Sequence, residues 1–122
     1  AQIGDRVIIG GNSAVQQFTR IGKMAMIGGM TGVLNDVIPY GLSIGNRNFL
    51  QGLNLVGLRR NEISNKVIIS LSDAYKKIFK TKKLNDNLKN INGVYNDNTL
   101  VNEVIEFITK DKKRPICTPF SK

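Results

Sequence analysis

The sequence predicts a mainly β fold, a parallel β-helix, followed by a small α-helical C-terminal domain. Three observations carry that prediction. Aliphatic residues recur every six positions through the first 33 residues. A small or β-branched residue sits four positions after each of them. After residue 61 the spacing of apolar residues changes to that of an amphipathic helix.

The six-residue series is Ile3, Ile9, Val15, Ile21, Ile27 and Val33, and the companion series is Val7, Ser13, Thr19, Ala25, Thr31 and Val37. Gly4, Gly10, Gly22 and Gly28 follow the aliphatic residue, while Gln16 and Leu34 break that rule. Simple strand alternation has period two and would not also place small residues and glycines on a six-residue grid. A coil of three six-residue sides does so. The aliphatic residue points into a narrow core, the small one fills the space beside it, and glycine is expected where side chains would crowd or φ must be positive. This much sequence makes two coils, about 10 Å of stack at ~4.8 Å each. Stacked repeats bury a continuous core only when several are present, so further coils are expected to attach at Ala1. The lack of an initial Met agrees with a sequence cut from a longer chain. From Pro39 to Gly45 the grid fades, and Tyr40, Gly41 and Gly45 read as a loop leaving the last coil.

Apolar Val67, Ile68, Leu71, Ala74, Tyr75, Ile78 and Phe79 predict a helix over 64–79, with Ser64 as its N-cap. A short second helix is expected over 84–91. A third, capped by Asn98 and running to about Thr109, carries Leu100, Val101, Val104, Ile105 and Ile108 and is stopped by Pro115. The expected organisation is therefore coils over 1–45, a loop over 46–61 and a helical domain over 62–122.

Charge narrows the function. The net charge is +9, of which residues 1–57 carry +2 and residues 58–122 carry +7, so the second half asks for an anionic partner. With no His and one Cys, there is no ordinary zinc site and no imidazole base. That composition also argues against a γ-carbonic anhydrase, which shares the hexapeptide coil but needs His ligands. No G-x-G-x-x-G or Walker pattern accompanies Gly28–Gly29. Nucleic acid is disfavoured, because Tyr75 and Phe79 lie in the apolar stripe and offer no stacking platform. No apolar run is long enough to span a bilayer, no signal peptide is visible, and the lone Cys117 fits a reducing, cytoplasmic setting.

The segments GGNSAVQQFTRIG (10–22), MIGGMTGV (26–33), DVIPYGLSIGNR (36–47) and GLNLVGLRR (52–60) resemble the C-terminal half of the UDP-N-acetylglucosamine O-acyltransferase family of lipid A biosynthesis, a branch of the hexapeptide-repeat transferases. Residues 1–80 carry the match. The hexapeptides alone are common to many acyltransferases; the P-Y-G, G-N-R and G-L-N-L-V-G-L-R-R series is much narrower.

That resemblance implies a left-handed coil and a homotrimer with sites between subunits. It implies transfer of a 3-hydroxyacyl group from acyl carrier protein to the glucosamine 3-hydroxyl of UDP-N-acetylglucosamine, without a cofactor. The general-base His of the family is expected upstream of Ala1, so this chain alone is expected to be inactive. Gln17, Asn54 and Arg60 match positions that bind the sugar nucleotide. Gln16 stands where the family usually has His, and Asn61 where it often has a third basic residue. Met26 and Gly29 fall where the acyl chain lies. The lysine run at 76, 77, 80, 82 and 83, free of acidic residues, is expected to steer the acidic carrier protein, with Lys76, Lys80 and Lys83 on one helical face. The alternatives are another hexapeptide sugar acyltransferase, such as the later N-acyltransferase of the same pathway, and a non-catalytic trimeric remnant.

Overall fold

The computed structural model describes residues 2–45, 49–110 and 115–119. Six two-residue strands occupy the predicted grid: β1 (Gln2–Ile3), β2 (Ile8–Ile9), β3 (Ala14–Val15), β4 (Arg20–Ile21), β5 (Met26–Ile27) and β6 (Gly32–Val33). β1 pairs with β4, β2 with β5 and β3 with β6, all parallel and each offset by eighteen residues, as in Ile3 with Ile21 and Val15 with Val33. Three six-residue sides therefore make one coil, and two coils stack. The corners between the sides are the turns at 5–6 and 23–24, at 11–12 and 29–30, and at 17–18.

Burial follows the stacking. In the second coil Ile21, Ile27 and Val33 are at most 2% exposed, whereas Ile3 and Ile9 in the first coil are 51% and 39% exposed. The companions Thr19, Ala25 and Thr31 are fully enclosed with them.

The glycines behave differently from the expectation about φ. The left-handed conformation falls on Arg6, Asn12, Phe18, Met24 and Met30, one per corner and none of them glycine. Gly4, Gly10 and Gly22 are required instead by close approach. A Cβ on Gly10 would lie 2.4 Å from Gly29 N, and one on Gly22 would lie 2.3 Å from Pro39 N. Glycine here lets one coil's backbone touch the next.

The grid changes after Val33. Ile21 bridges Val37, and β5 pairs with β7 (Gly41–Ile44) through Met26–Leu42, both at an offset of sixteen rather than eighteen. Two residues are missing from the side that contains Leu34, Asn35 and Asp36. Val37 therefore takes the next inward aliphatic place rather than the companion position that the grid assigned it. Gly41 likewise opens a strand, not a loop. β7 turns back through an antiparallel pairing with β8 (Phe49–Leu53), helped by positive φ at Gly45 and Gly52. Pro115–Thr118 runs alongside: Asp36 N–H donates to Pro115 O, Cys117 N–H to Asp36 O and Leu50 N–H to Thr118 O.

Four helices follow: α1 (Leu55–Arg60), α2 (Asn65–Ile78), α3 (Leu84–Asn90) and α4 (Thr99–Lys110). They contain more residues than the eight strands, so the described chain is mixed rather than mainly β; each prism side yields only two strand residues. Ser64 caps α2 by accepting from Val67 N–H, and Asn98 Oδ1 accepts from the N–H groups of Leu100 and Val101 at the start of α4. Ile68, Leu71, Ala74 and Ile78 of α2 and Val101, Val104 and Ile108 of α4 form buried stripes that join the coil core. None of the described helices is long and apolar enough to cross a membrane.

Candidate functional site

The segment expected to be a loop over 46–61 contains, in its described part, β8 and the helix α1. Asn46, Arg47 and Asn48 lie outside the described residues. α1 is short, and both of its ends are fixed. Asn54 is its N-cap, accepting from Gly57 N–H at 3.1 Å while its amide donates to Met24 O at 3.0 Å on a coil corner. Gly57 is required here, since a Cβ would come within 2.4 Å of the Asn54 amide nitrogen. At the other end Glu62 adopts φ 61°, and the N–H groups of Glu62 and Ile63 reach back to Arg59 O and Leu58 O. This is the Schellman arrangement, with glutamate where glycine is usual. Asn61 Nδ2 donates to Gly57 O at 2.8 Å, and Asn61 Oδ1 accepts from Arg6, which stands on the corner one coil below Met24.

α1 therefore lies along one corner of the prism, with Asn54 at the upper coil and Asn61 at the lower. Arg59 and Arg60 form its exposed last turn. Asn54, by contrast, is 5% exposed, and its amide is committed to the cap and to Met24.

The other sugar-nucleotide candidate, Gln17, sits exposed on a different corner, beside Phe18. A full prism side separates it from Met24, about 15 Å or more at ~3.3 Å per residue. Met26 is on the side next to α1, in the sheet β2–β5–β7–β8, and exposed Gly29 is on the third corner. Space is available at Gly29, where an added Cβ would meet nothing closer than Gly11 O at 3.4 Å. One chain thus brings together Asn54 and Arg60 but does not bring Gln17 to them.

The remaining side, between Gln17 and α1, is braced by α4. Arg20 pairs with buried Asp36, Nε to Oδ2 at 2.9 Å, and lies 4.2 Å over the Phe107 ring. Glu103 accepts from Tyr40 Oη at 2.8 Å and pairs with Lys23 at 2.6 Å. Burial, reinforced by the Glu103 carboxylate, holds the Tyr40 phenol well above its ordinary pKa. The cleft along this brace, about 620 Å³, is lined in part by the Lys23–Glu103 pair and by Arg20, which is held by Asp36.

The lysines do not form the expected helical face. α2 ends at Ile78, so of the three only Lys76 belongs to it, and Lys83 occupies the N-cap position of α3. The intervening turn is sealed by buried Asn87, whose amide donates to Ile78 O and Thr81 O while its oxygen accepts from Thr81. Lys77 is occupied by Asp73 at 3.2 Å, and Asp73 also accepts from Tyr95, which with Lys77 lowers its pKa. Lys76 instead borders a groove of about 340 Å³ between α1 and α2. Its wall includes Leu55, Arg59 and Ile69, the last 69% exposed.

A family model described as UDP-N-acetylglucosamine O-acyltransferase, domain 2, matches residues 36–117, starting at the residue where the coil offset changes. The chain belongs to that family. It is 42% identical over 118 residues to the acyl-[acyl-carrier-protein]–UDP-N-acetylglucosamine O-acyltransferase of Rhizobium rhizogenes, covering 96% of this chain and 44% of that protein. Identity to the Rhizobium etli protein of the same name is 45% over 115 residues, covering 93% and 42%. The structure resembles the UDP-N-acetylglucosamine acyltransferase of Campylobacter jejuni with a TM-score of 0.86 at 33% identity, covering 95% of this chain and 45% of that one. The chain thus spans somewhat under half the length of these relatives.

Arg6, Arg59 and the helix α1 itself were not drawn from the sequence. A signal for α1 was present: Asn54 can cap Gly57 three residues on, and Arg59–Arg60 suit a last turn. Nothing in the sequence points Arg6 at Asn61, because that contact joins residues 55 positions apart.

Proposed function

We propose that this chain is the C-terminal part of an acyltransferase that moves a 3-hydroxyacyl group from acyl carrier protein to the glucosamine 3-hydroxyl of UDP-N-acetylglucosamine, the first step of lipid A biosynthesis. The observation that carries the proposal is the arginine-bearing helix α1, pinned to a coil corner in a chain of this family. Arginine's planar fork, permanently charged, is suited to a nucleotide's phosphates. Arg60 is the proposed nucleotide ligand. Asn54 acts chiefly by fixing α1, and Gln17 contributes from a second subunit.

We propose the family's homotrimer with a left-handed coil, and the separation of Gln17 from α1 supports sites shared between its subunits. Gln17 of one copy can meet α1 only across a subunit boundary. Exposed Phe18, Met30 and Leu34 border the side that neither α1 nor α4 covers, and they give a second copy an apolar surface to bury. Met26 and Gly29 would then line the acyl chain, and the room at Gly29 admits a long one.

In the reaction, the sugar 3-hydroxyl attacks the thioester carbonyl, its proton passes to a base, a backbone N–H holds the oxyanion, and the carrier thiolate leaves. The described chain supplies binding and orientation; a His from preceding coils supplies the base, a role worth ~10²–10⁴-fold. The groove between α1 and α2, edged by Lys76 and Arg59, is the proposed docking place of the acidic carrier protein, in a cytoplasmic enzyme.

The test is steady-state kinetics of the full-length protein with both substrates. Arg60→Ala should raise the Michaelis constant for the sugar nucleotide roughly ten- to a hundredfold. Lys76→Glu should raise that for the carrier protein, an effect that fades as the Debye length falls from ~10 Å at 0.1 M salt to ~3 Å at 1 M. The 122-residue chain assayed alone should not turn over. An unchanged sugar-nucleotide constant in Arg60→Ala, with stability lost instead, would make Arg60 structural and remove the basis of the proposal.

A further inference from the structure

Arg6 is an exposed side chain on the backbone of a coil corner, yet its position is closely set. Its φ of 57° is fixed by the turn, and the corner is tied into the stack by Met24 N–H donating to Asp5 O at 2.7 Å. Its guanidinium donates to Asn61 Oδ1, and Asn61 is itself held by donating to Gly57 O. Asn61 follows Arg60 directly, so a coil residue delivers a third guanidinium to the end of α1 that already holds Arg59 and Arg60. The helix terminus does not require it, since the two arginines of the last turn already face the negative end of the dipole. Neighbouring acids do not neutralise it either. Asp5 and Glu62 flank the contact in sequence, and among the described residues neither pairs with any of the three arginines. Like charges brought together repel. A multiply charged anion reverses that sign. One N–H of Arg6 serves Asn61, and the rest of its fork remains for a phosphate in the bidentate geometry that arginine favours.

We infer that Arg6 is a further ligand of the sugar nucleotide, binding its diphosphate together with Arg60. The inference rests on the reading that the nucleotide lies at α1. It adds a specificity element from the coil, so that the diphosphate bridges the coil corner and the helix.

The experiment is calorimetric titration of the full-length protein with UDP and, separately, with uridine, which has no phosphate. Four variants are compared: Arg6→Ala; Arg6→Gln, which keeps an amide donor for Asn61 but loses the charge; Arg6→Lys; and Arg60→Ala. Arg6→Ala and Arg6→Gln should each weaken UDP roughly ten- to a hundredfold and leave uridine within twofold. Arg6→Lys should recover part of the loss, since it restores charge without the fork. UDP affinity unchanged in Arg6→Gln, while Arg60→Ala still loses it, would overturn the assignment of Arg6 and leave the sugar-nucleotide reading intact. Equal losses for UDP and uridine would make Arg6 only a brace for α1. Wild-type protein that binds neither ligand would overturn the underlying reading, and Arg6 with it.

Discussion

Gly22→Ala should destabilise this protein far more than an exposed glycine-to-alanine change normally does. A Cβ at Gly22 would lie 2.3 Å from Pro39 N and 2.6 Å from Pro39 Cα, where ordinary contact begins near 3.4 Å. The two coils would have to part by about 1 Å against a rise of ~4.8 Å. That would stretch the Gly22 N–H bond to Val37 O, now 2.9 Å. Overpacking costs ~1–3 kcal/mol where side chains can give way. Here backbone meets backbone, so the expected loss is at the top of that range or above it. Gly10→Ala should behave the same way, its Cβ meeting Gly29 N at 2.4 Å. Gly28→Ala meets first the Ile44 side chain, at 3.2 Å, and should cost less than about 1 kcal/mol. Gly11→Ala meets nothing within 4 Å among the described residues and has no positive φ, so it should be neutral or stabilise by ~0.4–1 kcal/mol through the unfolded chain. Urea midpoints of the four full-length variants give the ranking. Equal shifts for Gly22→Ala and Gly11→Ala would refute the claim that coil contact selects these glycines.

Among the described residues Thr19 Oγ1 and Thr31 Oγ1 are buried without a hydrogen-bond partner, so Thr19→Val and Thr31→Val should each stabilise the protein by about 1 kcal/mol, read as a higher urea midpoint. Asn54→Ala removes both a helix cap and the bond to Met24 O and should cost roughly 1–3 kcal/mol in the same assay. Because the folded protein holds the Tyr40 proton above its ordinary pKa, the resulting stability is complete below pH ~10 and is lost as pH rises beyond it, by up to ~1.4 kcal/mol per unit. Tyr40→Phe should flatten that alkaline limb, read as the urea midpoint against pH.

The hexapeptide grid was legible because each coil position meets the same surroundings as its partner eighteen residues away, which turns a three-dimensional constraint into a period. Where the period changed, reading failed. Nothing local in Leu34-Asn35-Asp36 announces a side shortened by two residues; the partners of Asp36 there are distant in sequence, its carboxylate accepting from Arg20 N–H and Nε while its backbone pairs with the 115–117 segment. The helices α2 and α4 were legible from apolar spacing and from the caps Ser64 and Asn98. α1 was not, since six residues with an exposed Leu55 and Val56 show no amphipathic period. The lysine patch failed for a related reason. Spacing of four and three implies one face only while the helix continues, and α2 stops at Ile78. The candidate residues Gln17, Asn54 and Arg60 came from resemblance. Their division between two corners follows only from knowing which coil side each occupies.

That division bears on how stability and binding are coupled. An isolated six-residue helix is not stable in water, because nucleation is unfavourable and few propagating bonds follow. The direction of Arg60 is therefore inherited from the coil through the Asn54 contact to Met24, the Arg6 contact to Asn61 and the capped end at Glu62. Gln17 has no such dependence on α1; it belongs to the coil and moves with it. Loosening the corner should therefore change the proposed nucleotide contacts of α1 before it unfolds the prism, and should leave the Gln17 corner in place. On this argument Asn54 has two measurable effects from one side chain. Its loss should lower stability through the cap and, with the nucleotide at α1 as proposed, should lower nucleotide affinity through the displaced helix even if the amide never touches the ligand. Asn54→Asp separates the two routes: it keeps the acceptor for Gly57 N–H and gives up the donor to Met24 O, so α1 stays capped while its tether to the coil is cut.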